Sequence, residues 1–136
     1  MVPLIEQVLD RNRDTVKLVF KNMPLNFHKF ADPAARAAMA AQKQGKFWEF
    51  HDELFRTKPL STDAINNIAV KLGLDIEQFN KDMNDPEVLN QIRKDLFDAQ
   101  KAGVTGTPTI FINGKKLKNR SPQGFQMMID AELKNR

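Results

Sequence analysis

At Gly103 the hydrophobic period of the chain changes, and this change limits the possible folds more than any other feature. Before it, residues 32–103 place apolar side chains at helical spacing. After it comes Val104-Thr-Gly-Thr-Pro108-Thr-Ile-Phe-Ile-Asn-Gly114. Thr109–Ile112 is a short apolar run of β-formers, and Asn113-Gly114 is a strong two-residue hairpin signal. Lys115–Lys118 would be the return strand. Pro108 cannot donate to a ladder, so it belongs at the first strand position or on an edge. Ser121-Pro122 then opens a last helix with Phe125, Met128, Ile129 and Leu133 on one face.

The remainder of the chain is punctuated just as clearly. Pro3 to about Arg13 has Leu4, Ile5, Val8 and Leu9 at helical spacing, with no capping residue before it. Thr15–Lys21 alternates Val16, Leu18 and Phe20 against Lys17, Val19 and Lys21, the pattern of a strand. Asp32-Pro33, Ser61, Asp75 and Asp85-Pro86 are N-cap signals, since their side chains accept from otherwise unbonded amides. Gly45, Gly73 and Gly103 are stops. The helix Lys46–Arg56 puts Phe47, Phe50, His51, Leu54 and Phe55 on one broad face, and packing of the helical block is expected to leave Phe47, Trp48 and Phe55 largely buried. A later helix aligns Leu89, Ile92, Leu96 and Ala99. The order is helix, strand, several helices, strand, hairpin, strand, helix, with no repeat or low-complexity tract.

The chemistry available is narrow. The 136 residues contain no Cys, no Tyr and two His. A disulfide scaffold, a thiolate metal site and a cysteine nucleophile within the chain are all excluded. His28 and His51 do not have the spacing of a zinc site, and His51 reads as a hydrogen-bonded core histidine. Ser61 and Ser121 read as caps rather than nucleophiles. Gly103-Val-Thr-Gly106 is too short for a phosphate loop and lacks its lysine. No catalytic residue, metal ligand or cofactor site is recognisable from residue chemistry. The net charge of +4 is uneven, because residues 101–136 hold 7 basic and 2 acidic side chains. The run Lys115-Lys-Leu-Lys-Asn-Arg120 contains no aromatic residue, so it reads as a lysine-protected edge strand in preference to a nucleic-acid surface, which stays the third reading. No apolar run approaches a bilayer span, and Met1–Arg13 does not read as an export signal.

The Gly103–Gly114 segment resembles the cis-proline loop and following hairpin of DsbA-like thiol–disulfide oxidoreductases of the thioredoxin-fold superfamily. Pro3-Leu-Ile-Glu resembles the helix after their Cys-x-x-Cys. Val16-Lys-Leu-Val-Phe-Lys-Asn-Met-Pro-Leu resembles their second strand. His28–Ala41 and Gly45-Lys-Phe-Trp-Glu-Phe-His-Asp-Glu-Leu-Phe55 resemble the helices of their insertion. The resemblance implies an α/β, thioredoxin-like fold of DsbA type with an inserted helical subdomain packed over the sheet. Its parts would be 1–31 (helix and strand of the thioredoxin-like domain), 32–103 (helical insertion and returning helix) and 104–136 (cis-proline loop, hairpin and last helix).

The resemblance also implies a function. Thr107 and Pro108, joined by a cis bond, would form the substrate groove facing a cysteine pair. The partners would be extended polypeptides bearing cysteines, at a periplasmic or other extracytoplasmic site. The family's first strand and its Cys-x-x-Cys are absent from this sequence, and without sulfur nucleophiles these residues cannot exchange disulfides. Two readings follow: an oxidoreductase represented by a truncated chain, or a non-catalytic peptide-binding or chaperone-like module. A glutathione-using relative of the same fold is a lesser alternative. The first strand would lie between Val16–Lys21 and Thr109–Ile112. Without it the chain is expected to pair those segments directly, borrow a strand, or be poorly stable and self-associate through strand edges; the last two are favoured.

Overall fold

The computed structural model describes residues 1–25 and 28–135; Asn26 and Phe27, within segment 1–31, and Arg136, within segment 104–136, lie outside the described residues. The chain divides into two compact units, Lys21–Gly103 and Met1–Phe20 with Val104–Arg136. Among the described residues no helix is long and apolar enough to cross a membrane.

The unit Lys21–Gly103 is built on one alanine-rich helix. Helix α2 (Ala31–Lys43) buries Ala34, Ala37, Ala38, Ala40 and Ala41. Alanine is the best helix former, and its small side chain lets neighbours pack close to the backbone. Around it stand α3 (Phe47–Arg56), α4 (Thr62–Lys71), α5 (Ile76–Asp82) and α6 (Pro86–Lys101). Phe50, Ile65, Ile68, Ala69, Leu74 and Phe79 complete the core, and Phe47, Leu54, Leu60, Leu72 and Met83 flank it. The Phe50 and Phe79 rings stack with centroids 5.7 Å apart.

The expected caps form at three helix starts. Ser61 accepts from the Ala64 amide at 3.0 Å, Asp75 from Gln78 at 3.0 Å and Asp85 from Glu87 at 2.8 Å. Asp32 does not cap. Helix α2 begins earlier, with Phe30 at its N-cap, and Asp32 sits in the first turn, where it pairs with Arg36 at 2.8 Å.

The expected burial of the α3 aromatics is also corrected. Trp48 is 41% exposed and Phe55 59%, whereas Phe50 is fully buried. The alanine surface of α2 receives only the Phe47–Phe50–Leu54 ridge. Residues 48 and 55, two turns apart, fall on the adjoining stripe, turned toward solvent. Helix α6 likewise centres its buried face on Val88, Ile92 and Asp95, with Leu89, Leu96 and Ala99 half-buried beside it.

The other unit holds α1 (Val2–Arg11), a two-stranded sheet and α7 (Pro122–Lys134). Its core is Val8, Leu117, Phe125 and Ile129, flanked by Leu4, Ile5, Val16, Ile110, Ile112, Met128 and Leu133. Ser121 caps α7 by accepting from the Gly124 amide at 3.0 Å.

The strand expected over Val16–Lys21 does not form. The Val16 amide bonds the Asn12 carbonyl at 3.0 Å, but Lys17, Leu18 and Val19 make no backbone hydrogen bond to another described residue. Val16 shares a hydrophobic cluster with Ile110 and Ile112, yet no ladder joins the two segments. A strand-patterned sequence becomes a strand only beside a partner.

Candidate functional site

The loop that carries Thr107 and Pro108 begins where α6 stops. Gly103 adopts φ +74°, a left-handed conformation that glycine takes without steric cost, and ends the helix. Within the loop the Thr109 hydroxyl donates to the Gly106 carbonyl at 2.6 Å. The Thr107–Pro108 peptide bond is cis, and both residues are exposed.

The hairpin that follows fixes the loop in place. Strands β1 (Phe111–Ile112) and β2 (Lys115–Lys116) pair antiparallel, with Phe111 opposite Lys116 and Ile112 opposite Lys115. The turn residues Asn113 and Gly114 have φ 48° and 80°, the two positive values a type I′ turn needs. One further ladder bond, Leu117 N–H to the Ile110 carbonyl at 2.8 Å, extends the pairing toward the loop. Alternation sends Ile110, Ile112 and Leu117 into the core and leaves Phe111 and Lys116 together on the outer face.

Lys115, on the inward-facing register, reaches Glu132 of α7 at 2.7 Å. That donated hydrogen bond, assisted by Asn113, holds the Glu132 carboxyl below its ordinary value against the opposing effect of burial.

Sequence reasoning passed over Arg120. Its guanidinium donates to the Pro108 carbonyl at 3.2 Å, tying the end of the basic run to the candidate loop. The signal was present: a two-residue turn fixes the register, and continuing it places Pro108 opposite Asn119, next to Arg120.

The remaining candidates do not assemble into a reactive centre. Ser61 and Ser121 are engaged as caps. His51 has its Nδ1 3.1 Å from Asp52 Oδ1 and its ring 4.8 Å from Phe55 and 5.4 Å from Trp48. Among the described residues no group of three His, Cys, Asp or Glu could hold a metal. A cavity of about 380 Å³ is lined by Asp32, Pro33, Arg36, Asn80, Met83 and Asn84, and it offers no nucleophile of the thiol or hydroxyl class. The arrangement supplies an exposed loop braced by the Thr109 and Arg120 hydrogen bonds, with a cation beside it.

Comparison with known proteins gives this geometry a family. The thioredoxin family model matches residues 3–131. The chain is 35% identical over 141 residues to a probable disulfide bond formation protein D of Bacillus anthracis, covering 96% of this chain and 63% of that protein. It is 36% identical over 106 residues to an Na(+)/H(+) antiporter NhaA of Herminiimonas arsenicoxydans, covering 77% of this chain and 17% of that protein. A thioredoxin-like oxidoreductase from Silicibacter pomeroyi superimposes with a TM-score of 0.82 at 29% identity, covering 99% of this chain and 78% of that one. The chain thus spans less than two thirds of these two sequence relatives. Its helices, hairpin and loop, matched almost end to end, make it a member of the thioredoxin family, of the DsbA-like kind.

Proposed function

We propose that this chain provides the scaffold and substrate platform of a DsbA-like thiol–disulfide oxidoreductase, with Thr107 and Pro108 receiving an extended, cysteine-bearing segment of a client protein. The observation that carries the reading is the exposed Thr107–Pro108 loop, anchored through Ile110 and Ile112 in the core. An extended client would add its backbone to such a loop as a strand adds to a sheet edge.

Disulfide formation removes two protons and two electrons from two client thiols, and an oxidised cysteine pair accepts them. These 136 residues have no cysteine, so the pair must be supplied from outside them. Such chemistry persists in oxidising compartments, which supports a periplasmic or other extracytoplasmic site of action.

The lack of cysteine also favours a second reading, a non-catalytic peptide-binding or chaperone-like module. Both readings predict that an extended peptide shifts the backbone amide resonances of Thr107 and Thr109; unchanged resonances there would overturn both. Thiol titration of the protein purified from its native source separates them. A reactive pair supports the oxidoreductase, and no titratable thiol supports the binding module.

A further inference from the structure

The geometry points to a substrate class for this platform: extended polypeptide segments carrying Asp or Glu beside the docked stretch, selected by the basic hairpin. This inference rests on the reading of Thr107–Pro108 as a polypeptide platform and goes beyond it in naming what is bound.

The first observation is where the charge lies. Residues 104–136 hold 6 basic and 2 acidic side chains, and the remainder of the chain holds 15 of each. The whole net charge of +4 therefore comes from the segment bearing the candidate loop. An even scatter of lysines for solubility would not concentrate it there.

The second observation is how the cations are arranged. Lys115 is engaged by Glu132 at 2.7 Å. Lys116 and Lys118 are exposed and form no ion pair among the described residues. Lys116 stands opposite Phe111, which is 39% exposed, and alternation past the buried Leu117 puts Lys118 on the same outer face. Arg120 extends the series to the loop, because its guanidinium bonds the Pro108 carbonyl.

These features have complementary uses. A segment laid along the loop and the outer face of the hairpin meets an aromatic ring, then two ammonium groups, with a guanidinium at the loop end. Carboxylates on that segment gain attraction from three cations, and lysines or arginines meet repulsion. No acidic side chain lies between Lys115 and Arg120 to cancel this. A nucleic acid would also feel the field, but successive bases stack on several aromatics, and the hairpin sets the single ring of Phe111 beside these lysines.

The test uses the 136-residue chain and three fluorescein-labelled peptides with a common apolar centre, serine in place of cysteine, and Glu, Gln or Lys in the flanks. At low ionic strength the Glu peptide is expected to bind about fivefold or more tighter than the Gln peptide, and the Lys peptide more weakly still. Raising the salt to about 1 M, where the screening length is about 3 Å, should remove the ranking. The K116E/K118E variant should reverse it. Equal affinity of the three peptides for the wild-type chain would overturn the selection while leaving the platform reading intact. Failure of all three to bind would overturn both. A labelled oligonucleotide binding more tightly than the Glu peptide would overturn the inference in favour of a nucleic-acid surface.

Discussion

One carboxylate oxygen of Asp95 accepts from both the backbone amide of Asn22, at 2.9 Å, and its side-chain amide, at 2.8 Å. Gln91 donates to the other oxygen at 2.8 Å. Asn22 and Asp95 are 4% and 3% exposed, so these bonds secure the start of the Lys21–Gly103 unit to α6 away from water. Asp95→Ala strands buried donors, each at a cost of about 1–3 kcal/mol. The urea midpoint should fall by a stability change in or above that range, and a change within about 0.5 kcal/mol, typical of a surface substitution, would contradict this account of the segment.

Substitution of α3 aromatics should separate the buried ridge from its neighbour stripe. Phe50→Ala removes a fully buried ring stacked on Phe79 and is expected to cost about 3–5 kcal/mol. Phe55→Ala should cost far less, because that ring is 59% exposed. Trp48, the one tryptophan of the chain, should be quenched readily by acrylamide. A shielded, unquenchable tryptophan would show that α3 is rotated about its axis relative to this structure.

Gly124 is buried at the start of α7, and a Cβ there would collide with the Asn119 carbonyl oxygen and side chain. Gly124→Ala forces the backbone of Asn119 to move, with an expected loss of about 1–3 kcal/mol. Ala131→Gly, on the exposed side of the same helix, should cost only about 1 kcal/mol. Thermal melting of the two variants side by side checks the order.

Acid should weaken the fold in a definite window. Glu53, Asp85, Asp98 and Glu132 are each held below their ordinary values, first by a hydrogen bond from Lys71, Lys43, Lys21 and Lys115 respectively. A depressed native pKa gives stabilisation that is complete above the unfolded value and lost as pH falls through the native one. With ordinary values of 4.5 for Glu and 3.8 for Asp, the urea midpoint should be level near neutrality and decline below those values. Lys21 and Lys43 are raised from 10.5, so their share is present below that pH and is lost only as pH rises beyond it. The D98N/E132Q variant should show a shallower acid decline. A midpoint that rises between pH 5 and pH 3 would contradict the sign.

Leu18 and Val19 are 37% and 66% exposed in a strand-patterned segment without a ladder. Exposed apolar segments with strand patterning are prone to pair between chains, so size-exclusion chromatography of the 136-residue chain should show concentration-dependent oligomers. Val19→Lys should shift the profile toward monomer. A wild-type profile of pure monomer at all concentrations would defeat the expectation.

Local chemistry was legible in the sequence wherever a single residue decides the backbone. Ser61, Asp75, Asp85 and Ser121 cap the helices they precede, and Asn113-Gly114 turns the hairpin. The features that depend on a neighbour were less legible. The width of the buried face of α3 is set by the alanines of α2, which no pattern within α3 reveals. Alternation over Val16–Phe20 records a preference for extended backbone, whereas a ladder requires a second strand at hydrogen-bonding distance. In the candidate site, Thr107 and Pro108 could be picked out by resemblance. Arg120 could be reached only by carrying the hairpin register through to the loop.

The side-chain amides of Asn12 and Gln126 exchange two hydrogen bonds, at 2.9 and 3.0 Å, across a sequence separation of 114 residues. Buried Asn12 also donates to the Val8 carbonyl at 2.8 Å, so the link fastens α1 to α7. Loop closure grows more costly by about 0.6 kcal/mol per doubling of length, and the contacts within α2–α5 close much shorter loops. By loop length the helical unit is expected to assemble first and α1 to dock last. In a pulse-labelling hydrogen-exchange experiment, the α2 amides should gain protection before those of α1. The same ordering makes α1 the first element to detach when the protein opens.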